Sequence, residues 1–166
     1  IREYTGDSEE VVIPSVIDGK KVSSIRQYTF SKTSGVKSVV ISDGITSILG
    51  YAFWKCRSLK NIVIPNSVTS IGAYAFDGCS SLNSIVLPDG ITLIGEKTFN
   101  NCYNLKSISI PDSITYIGNY AFYNCGNLEN ISIPDGVTFI GEYAFYNCRG
   151  IHSMSIPNGI TSIGNS

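Results

Sequence analysis

The residue types that can carry chemistry in this chain fall into columns. All five cysteines, Cys56, Cys79, Cys102, Cys125 and Cys148, stand 23 residues apart. No C-x-x-C occurs, so neither a zinc ribbon nor a dithiol redox site is indicated. The column reads instead as free, buried thiols that behave as small apolar groups. His152 is the only histidine. It shares its column with Glu9, Lys37, Lys60, Asn83, Lys106 and Glu129, none of which completes a catalytic dyad. Its hydroxyl neighbours Ser153 and Ser155 follow from strand spacing alone. No G-x-S-x-G, H-E-x-x-H or phosphate-cradling glycine loop is present. Asp43, Asn66, Asp89, Asp112, Asp135 and Asn158 form a further column. Stacked carboxylates suit Ca²⁺ in principle, but Asp and Asn also start turns through their own side-chain oxygens, and turn chemistry is the reading adopted. The expectation is a chain with no catalytic residues, no cofactor and no metal, hence not an enzyme.

The element that sets these columns is a 23-residue unit, clearest at residues 110–132 (IPDSITYIGNYAFYNCGNLENIS) and repeated at 87–109 and 133–155. A fixed period of this length is the signature of a solenoid. Phe30, Phe53, Phe76, Phe99, Phe122 and Phe145 keep the same 23-residue spacing. All six prolines, Pro14, Pro65, Pro88, Pro111, Pro134 and Pro157, share one column. Regular repeats begin at Ile41, and a partial one occupies 156–166. A degenerate first repeat spans 8–40, with an enlarged turn at 15–21 whose Asp18-Gly19 pair signals a hairpin. One solenoid domain over 1–166 is expected, as a segment of a longer protein.

Each unit resolves into two extended pieces and two turns. The L-x-x-I-x-I segment reads as a strand, ended by a proline that has no N–H for a ladder. The strands expected to pair in parallel and in register are 59–64, 82–87, 105–110, 128–133 and 151–156. A brief second strand such as 114–117 (ITYI) follows the Asp-Gly turn. A glycine then leads into a Tyr-Ala-Phe corner, at most a single helical turn. The inward set in one repeat is Ile110, Ile114, Ile117, Tyr120, Ala121, Phe122, Cys125, Leu128 and Ile131. One unit cannot hide these side chains. Stacking units at about 4.8 Å buries each layer against the next and builds a continuous parallel sheet along one wall. Equivalent cysteines on stacked rungs then point the same way, a poor geometry for a disulfide.

Composition narrows the function. The chain is 43% hydrophobic and 15% charged with a net charge of −1. That excludes a disordered chain and offers no electrostatic footprint for nucleic acid. No apolar run reaches the length of a membrane span.

The pattern C-x-x-L-x-x-I-x-I-P-x-x-[VI]-T-x-I-G-x-Y-A-F resembles the BspA-like subfamily of bacterial leucine-rich repeats, from Ser8 to Gly164. The resemblance implies a right-handed leucine-rich-repeat solenoid, mainly β, with the L-x-x-I-x-I strands in a parallel sheet on the concave face and short second strands and turns on the convex side. It also implies extracellular or cell-surface proteins of host-associated bacteria that adhere to matrix proteins or to other cells. Thr33 departs from the cysteine column, Arg26 and Leu49 from the glycine, Ser42 from the proline, and Lys97-Thr98 from Tyr-Ala.

The outward faces remain as candidate sites. On the concave wall the aliphatic stripe Val12, Val40, Val63 and Val86 runs beside Lys37, Lys60 and Lys106. Lys37, Val40, Lys60, Val63, Val86 and Lys106 are therefore the expected protein-binding residues, with a host matrix or another surface protein as partner. At the corner, Trp54, Tyr103, Tyr123 and Tyr146 are candidate sugar platforms, which is the alternative, carbohydrate-binding reading. The apolar last rung makes end-to-end self-association a further expectation.

Overall fold

Each recurrence of Ile, Leu and Phe lands on the same face of the next rung, and the result is a mainly-β parallel solenoid of about six turns. The computed structural model describes residues 4–165, and no helix occurs among them. Strands Glu10–Ile13, Ser38–Ile41 and Asn61–Val63 form one parallel sheet, with Val12 opposite Val40 and Val40 opposite Val63. Ser84–Val86 and Ser107–Ser109 form a second. The register advances one repeat per strand, as the period requires.

Two of the expected long strands are corrected by the structure. Segment 128–133 contributes a single bridge, Ser107 to Asn130, and 151–156 forms no strand. The ladder thins where the outward valine column gives way to Ser109, Ser132 and Ser155, which lack the branching that favours a pleated surface. The amide of Asn130 reaches the Lys106 carbonyl only at 3.5 Å.

The short second strands also stack. Ser24–Ile25, Ser47–Ile48 and Ser70–Ile71 form one ladder. Leu93–Ile94, Tyr116–Ile117, Phe139–Ile140 and Ser162–Ile163 form another. Both ladders break at the same step, after Asn61–Val63 and after Ser70–Ile71. The corner holds the joint there: Tyr74 N–H donates to Glu96 O at 2.9 Å, Phe76 to Thr98 at 3.0 Å and Gly78 to Asn100 at 2.8 Å. The turn at Asp18-Gly19 is the expected hairpin. Val16–Ile17 pairs antiparallel with Lys20–Lys21, and both turn residues have positive φ (50° and 73°), as a primed turn demands.

The core is a stack of layers. Phe30, Phe53, Phe76, Phe99, Phe122 and Phe145 lie face to face at centroid spacings of 5.1, 5.3, 5.6, 5.5 and 5.3 Å. Tyr4 caps the stack on Phe30 at 5.0 Å. The corner is not a helical turn. Its tyrosine position has positive φ on every rung: Tyr28, Tyr51, Tyr74, Lys97, Tyr120 and Tyr143. Four residues later φ is positive again, at Lys32, Lys55, Gly78, Asn101, Asn124 and Asn147. Left-handed residues cannot extend a right-handed helix. Tyr120 is therefore not an inward residue. It is half-buried in an outer stack with Tyr143 at 5.2 Å.

Candidate binding surfaces

The concave wall presents the outward positions of the long strands. Val12, Val40, Val63 and Val86 are all exposed, Val63 at 56% and Val86 at 67%. From Val86 onward the wall sinks into a trough of about 780 Å³. Its sides are the hydroxyl and amide columns Ser84, Ser107 and Asn130, and Ser109, Ser132 and Ser155. Val86 is the one candidate residue that lines this trough. Lys37, Lys60 and Lys106 are all exposed, and Lys37 is paired with Glu9 on the neighbouring rung. His152 is exposed, with its Nδ1 2.7 Å from the Gly150 carbonyl oxygen.

The corner aromatics separate into two groups rather than one platform. Tyr123 stacks on Tyr146 at 5.0 Å and tilts against Tyr120 at 5.5 Å, so its neighbours cover it. Trp54 donates its indole N–H to Asp77 Oδ2 at 3.1 Å. The ammonium groups of Lys55 and Lys32 lie 4.3 and 5.1 Å from its ring. Tyr103 stands beside it, 49% exposed, and its hydroxyl donates to Asn101 Oδ1 at 3.0 Å.

Asp77 is a feature that column reading missed. It is buried between Trp54 and Asn100, whose amide donates to its Oδ1 at 2.9 Å. Burial raises its pKa above the ordinary 3.8, opposed by the N–H groups of Trp54 and Asn100. The available signal was a lone carboxylate in a column otherwise made of Ser31, Trp54, Asn100, Tyr123 and Tyr146. Lys97 was the other omission. It replaces a tyrosine in the outer stack, and its ammonium lies 5.2 Å from the Tyr74 ring and 4.9 Å from that of Tyr120.

The five cysteines are buried and free. Each thiol donates to the phenylalanine carbonyl one rung back: Cys56 to Phe30, Cys79 to Phe53, Cys102 to Phe76, Cys125 to Phe99 and Cys148 to Phe122. Burial pushes the pKa of Cys79, Cys102 and Cys125 well above the ordinary thiol value. At Cys56 and Cys148 hydrogen bonds from the Cys79 and Cys125 thiols lower the pKa instead, against the effect of burial, and all five groups serve as structural donors. Among the described residues, no cluster of three or more His, Cys, Asp or Glu side chains is placed to hold a metal ion.

A family model described as the BspA type leucine rich repeat region, in six copies, matches residues 4–125 and 47–166. The chain belongs to the BspA-type leucine-rich-repeat family. No curated protein matches it. Among solved structures, a T. pallidum leucine rich repeat protein is 30% identical with a TM-score of 0.90, over 95% of this chain and 74% of that one. A leucine rich cell surface protein from Faecalibacterium prausnitzii A2-165 is 31% identical with a TM-score of 0.64, over 92% of this chain and 48% of that one. A leucine-rich repeat protein from Eubacterium ventriosum is 28% identical with a TM-score of 0.84, over 95% and 41%. The chain thus spans less than half the length of the last two.

Two of the departures from the BspA-type pattern make hydrogen bonds of their own within the rung. Thr33, in the cysteine column, donates to the Phe30 carbonyl of its own rung at 2.9 Å. Thr98, in the alanine column, is buried and donates to Gly95 O at 3.0 Å. Each substitution satisfies its hydroxyl locally, so the rung closes as its neighbours do.

Proposed function

We propose that the chain is a non-catalytic binding and adhesion module of a cell-surface or secreted bacterial protein, and that it recognises a protein partner through its concave wall. The observation that carries this reading is the valine stripe. Val12, Val40 and Val63 lie in strict register across adjacent strands, Val86 continues the row, and all four face water. A contiguous aliphatic row beside an open trough lined by both serines and isoleucines suits a large, gently contoured partner better than a small substrate, which calls for an enclosing, mostly apolar site. Lys60 and Lys106 flank the row and favour acidic or carbonyl-rich surfaces, a contribution that weakens with salt. Lys37 contributes less, because Glu9 already holds it.

The cell-surface description of the Faecalibacterium prausnitzii relative supports the placement outside the cell, and the partner we propose there is a host matrix protein or another surface protein. The test is adhesion to a panel of matrix proteins by Val63→Glu with Val86→Glu. Lost adhesion in a folded variant supports the wall, and undiminished adhesion overturns it. A second reading, a glycan at the corner, is favoured by the cleft between Trp54 and Tyr103.

A further inference from the structure

Two outward columns run along the corner. One reads Lys32, Lys55, Gly78, Asn101, Asn124, Asn147, and the other reads Ser34, Arg57, Ser80, Tyr103, Gly126, Arg149. In the first column the asparagines form a side-chain ladder: Asn124 donates to Asn101 at 2.9 Å and Asn147 to Asn124 at 2.7 Å. Both columns shrink together on one rung, at Gly78 and Ser80. The flanking rungs are about 10 Å apart at the usual strand spacing, so the missing side chains leave a slot roughly one ring thick. That slot is the cleft of about 520 Å³ beside Trp54. A Cβ at Gly78 would stand 3.0 Å from Lys55 Cγ, so any side chain there would begin to fill it.

The two walls differ in chemistry. One carries Lys55 and Arg57, and continues past them into a smaller cleft of about 370 Å³ lined by Lys32 and Ser34. The ion pairs among the described residues are Lys37 with Glu9 and Lys97 with Glu96, so no carboxylate pairs directly with Lys32, Lys55 or Arg57, although Lys55 attracts the Asp77 carboxylate through space. The carboxylate inside the notch, Asp77, has both oxygens occupied by Trp54 and Asn100. The opposite wall is neutral and hydrogen-bonding. Tyr103 donates to Asn101 and keeps its phenol oxygen as an acceptor, and Ser80 lines the gap between the walls.

We infer that this notch is a subsite for an acidic sugar residue, its carboxylate or sulfate against Arg57 and Lys55 and its hydroxyls against Ser80 and Tyr103. The inference rests on the glycan reading and shares no residue with the concave trough. A slot of one-ring thickness with cations on one side and hydroxyl partners on the other matches a ring bearing both groups. An aspartate or glutamate side chain would satisfy the cations and leave the neutral wall without a partner.

Trp54 is the only tryptophan, so its fluorescence reports the notch alone. The experiment titrates the whole chain with glucuronate, glucose 6-sulfate, glucose and a hexaglutamate peptide. Glucuronate or glucose 6-sulfate should give a saturable change with Kd of about 1 mM, weaker at high salt. Arg57→Ser should weaken it by about tenfold or more, the loss of one charge-assisted contact. Gly78→Asn fills the notch with a residue that adopts the same left-handed backbone at Asn101, Asn124 and Asn147, so the circular dichroism and melting temperature should hold while binding is lost. No saturable change with either acidic sugar overturns the inference, as does binding that persists in Gly78→Asn. Equal response to glucose overturns the acidic preference but leaves the glycan reading standing. Binding of hexaglutamate alone makes the patch a dock for acidic protein instead.

Discussion

The Cys79 thiol donates to the Phe53 carbonyl oxygen, 3.1 Å away on the preceding rung. That carbonyl already accepts the Cys56 N–H of its own rung at 3.1 Å. The thiol therefore adds a weak second bond between layers, inside a buried column. Native protein should react slowly with a thiol reagent, and all five groups should titrate only on unfolding. Fast labelling of Cys79 or Cys102 without denaturant would contradict the buried column.

The raised thiol pKa values set a direction for pH. The native state resists deprotonation of Cys79, Cys102 and Cys125, while the unfolded chain loses those protons near the ordinary value of 9.0. Their contribution to stability is full below pH 9.0 and is lost as pH rises above it. Cys56 and Cys148, whose pKa values are lowered by hydrogen bonds from Cys79 and Cys125, act in the opposite sense. The three raised thiols should outweigh them, so melting temperatures measured from pH 7 to pH 11 should fall in the upper part of that range. Cys102→Ala should flatten part of the fall, and an unchanged slope in that variant would count against the assignment.

Asp77 should behave in the same sense at the acid end. Its raised pKa means that ionisation costs more in the folded state, so its contribution is present below about pH 3.8 and is lost as pH rises through the higher native value. Because Trp54 donates to it, indole emission should titrate with a midpoint above 3.8. The step should vanish in Asp77→Asn. A midpoint at or below 3.8 in the native protein would show that burial is not the dominant influence.

Asn124 separates backbone from side chain. Its φ is 61°, and its amide joins Asn101 to Asn147 in the corner ladder. Asn124→Gly keeps the backbone and removes the ladder, at about 1 kcal/mol in chemical denaturation. Asn124→Ala loses both and should cost about 1–2 kcal/mol more. Equal losses for the two variants would mean that the left-handed backbone carries no strain.

The period made most of this fold legible. A column that holds every proline or every cysteine leaves one stacking register, and Val40 opposite Val63 follows directly. What the columns hid was backbone sign. Tyr120 reads as core because it is large and aromatic, yet positive φ at its position turns it outward, a conformation that single-sequence pattern does not report for a non-glycine residue. The fading of the wall at 151–156 escaped for a related reason: Ile151, Met154 and Ile156 keep the apolar pattern of a strand, while the serines beside them do not supply a strand's surface. At the corner, Trp54 was visible as an exposed type, but its lysine partners lie on neighbouring positions of different rungs. Gly78 was not singled out, because the gap its missing side chain leaves between Lys55 and Asn101 depends on how the rungs stack.

The concave-wall account is tested most directly by hydrogen–deuterium exchange on the chain bound to whichever matrix protein it adheres to. The account predicts slowed exchange at 61–63 and 84–86, with the corner at 53–57 unchanged, and loss of both the binding and the slowing in Val63→Glu with Val86→Glu. Protection confined to 53–57 and 100–103, with adhesion that survives the valine changes, would contradict it and move recognition to the corner.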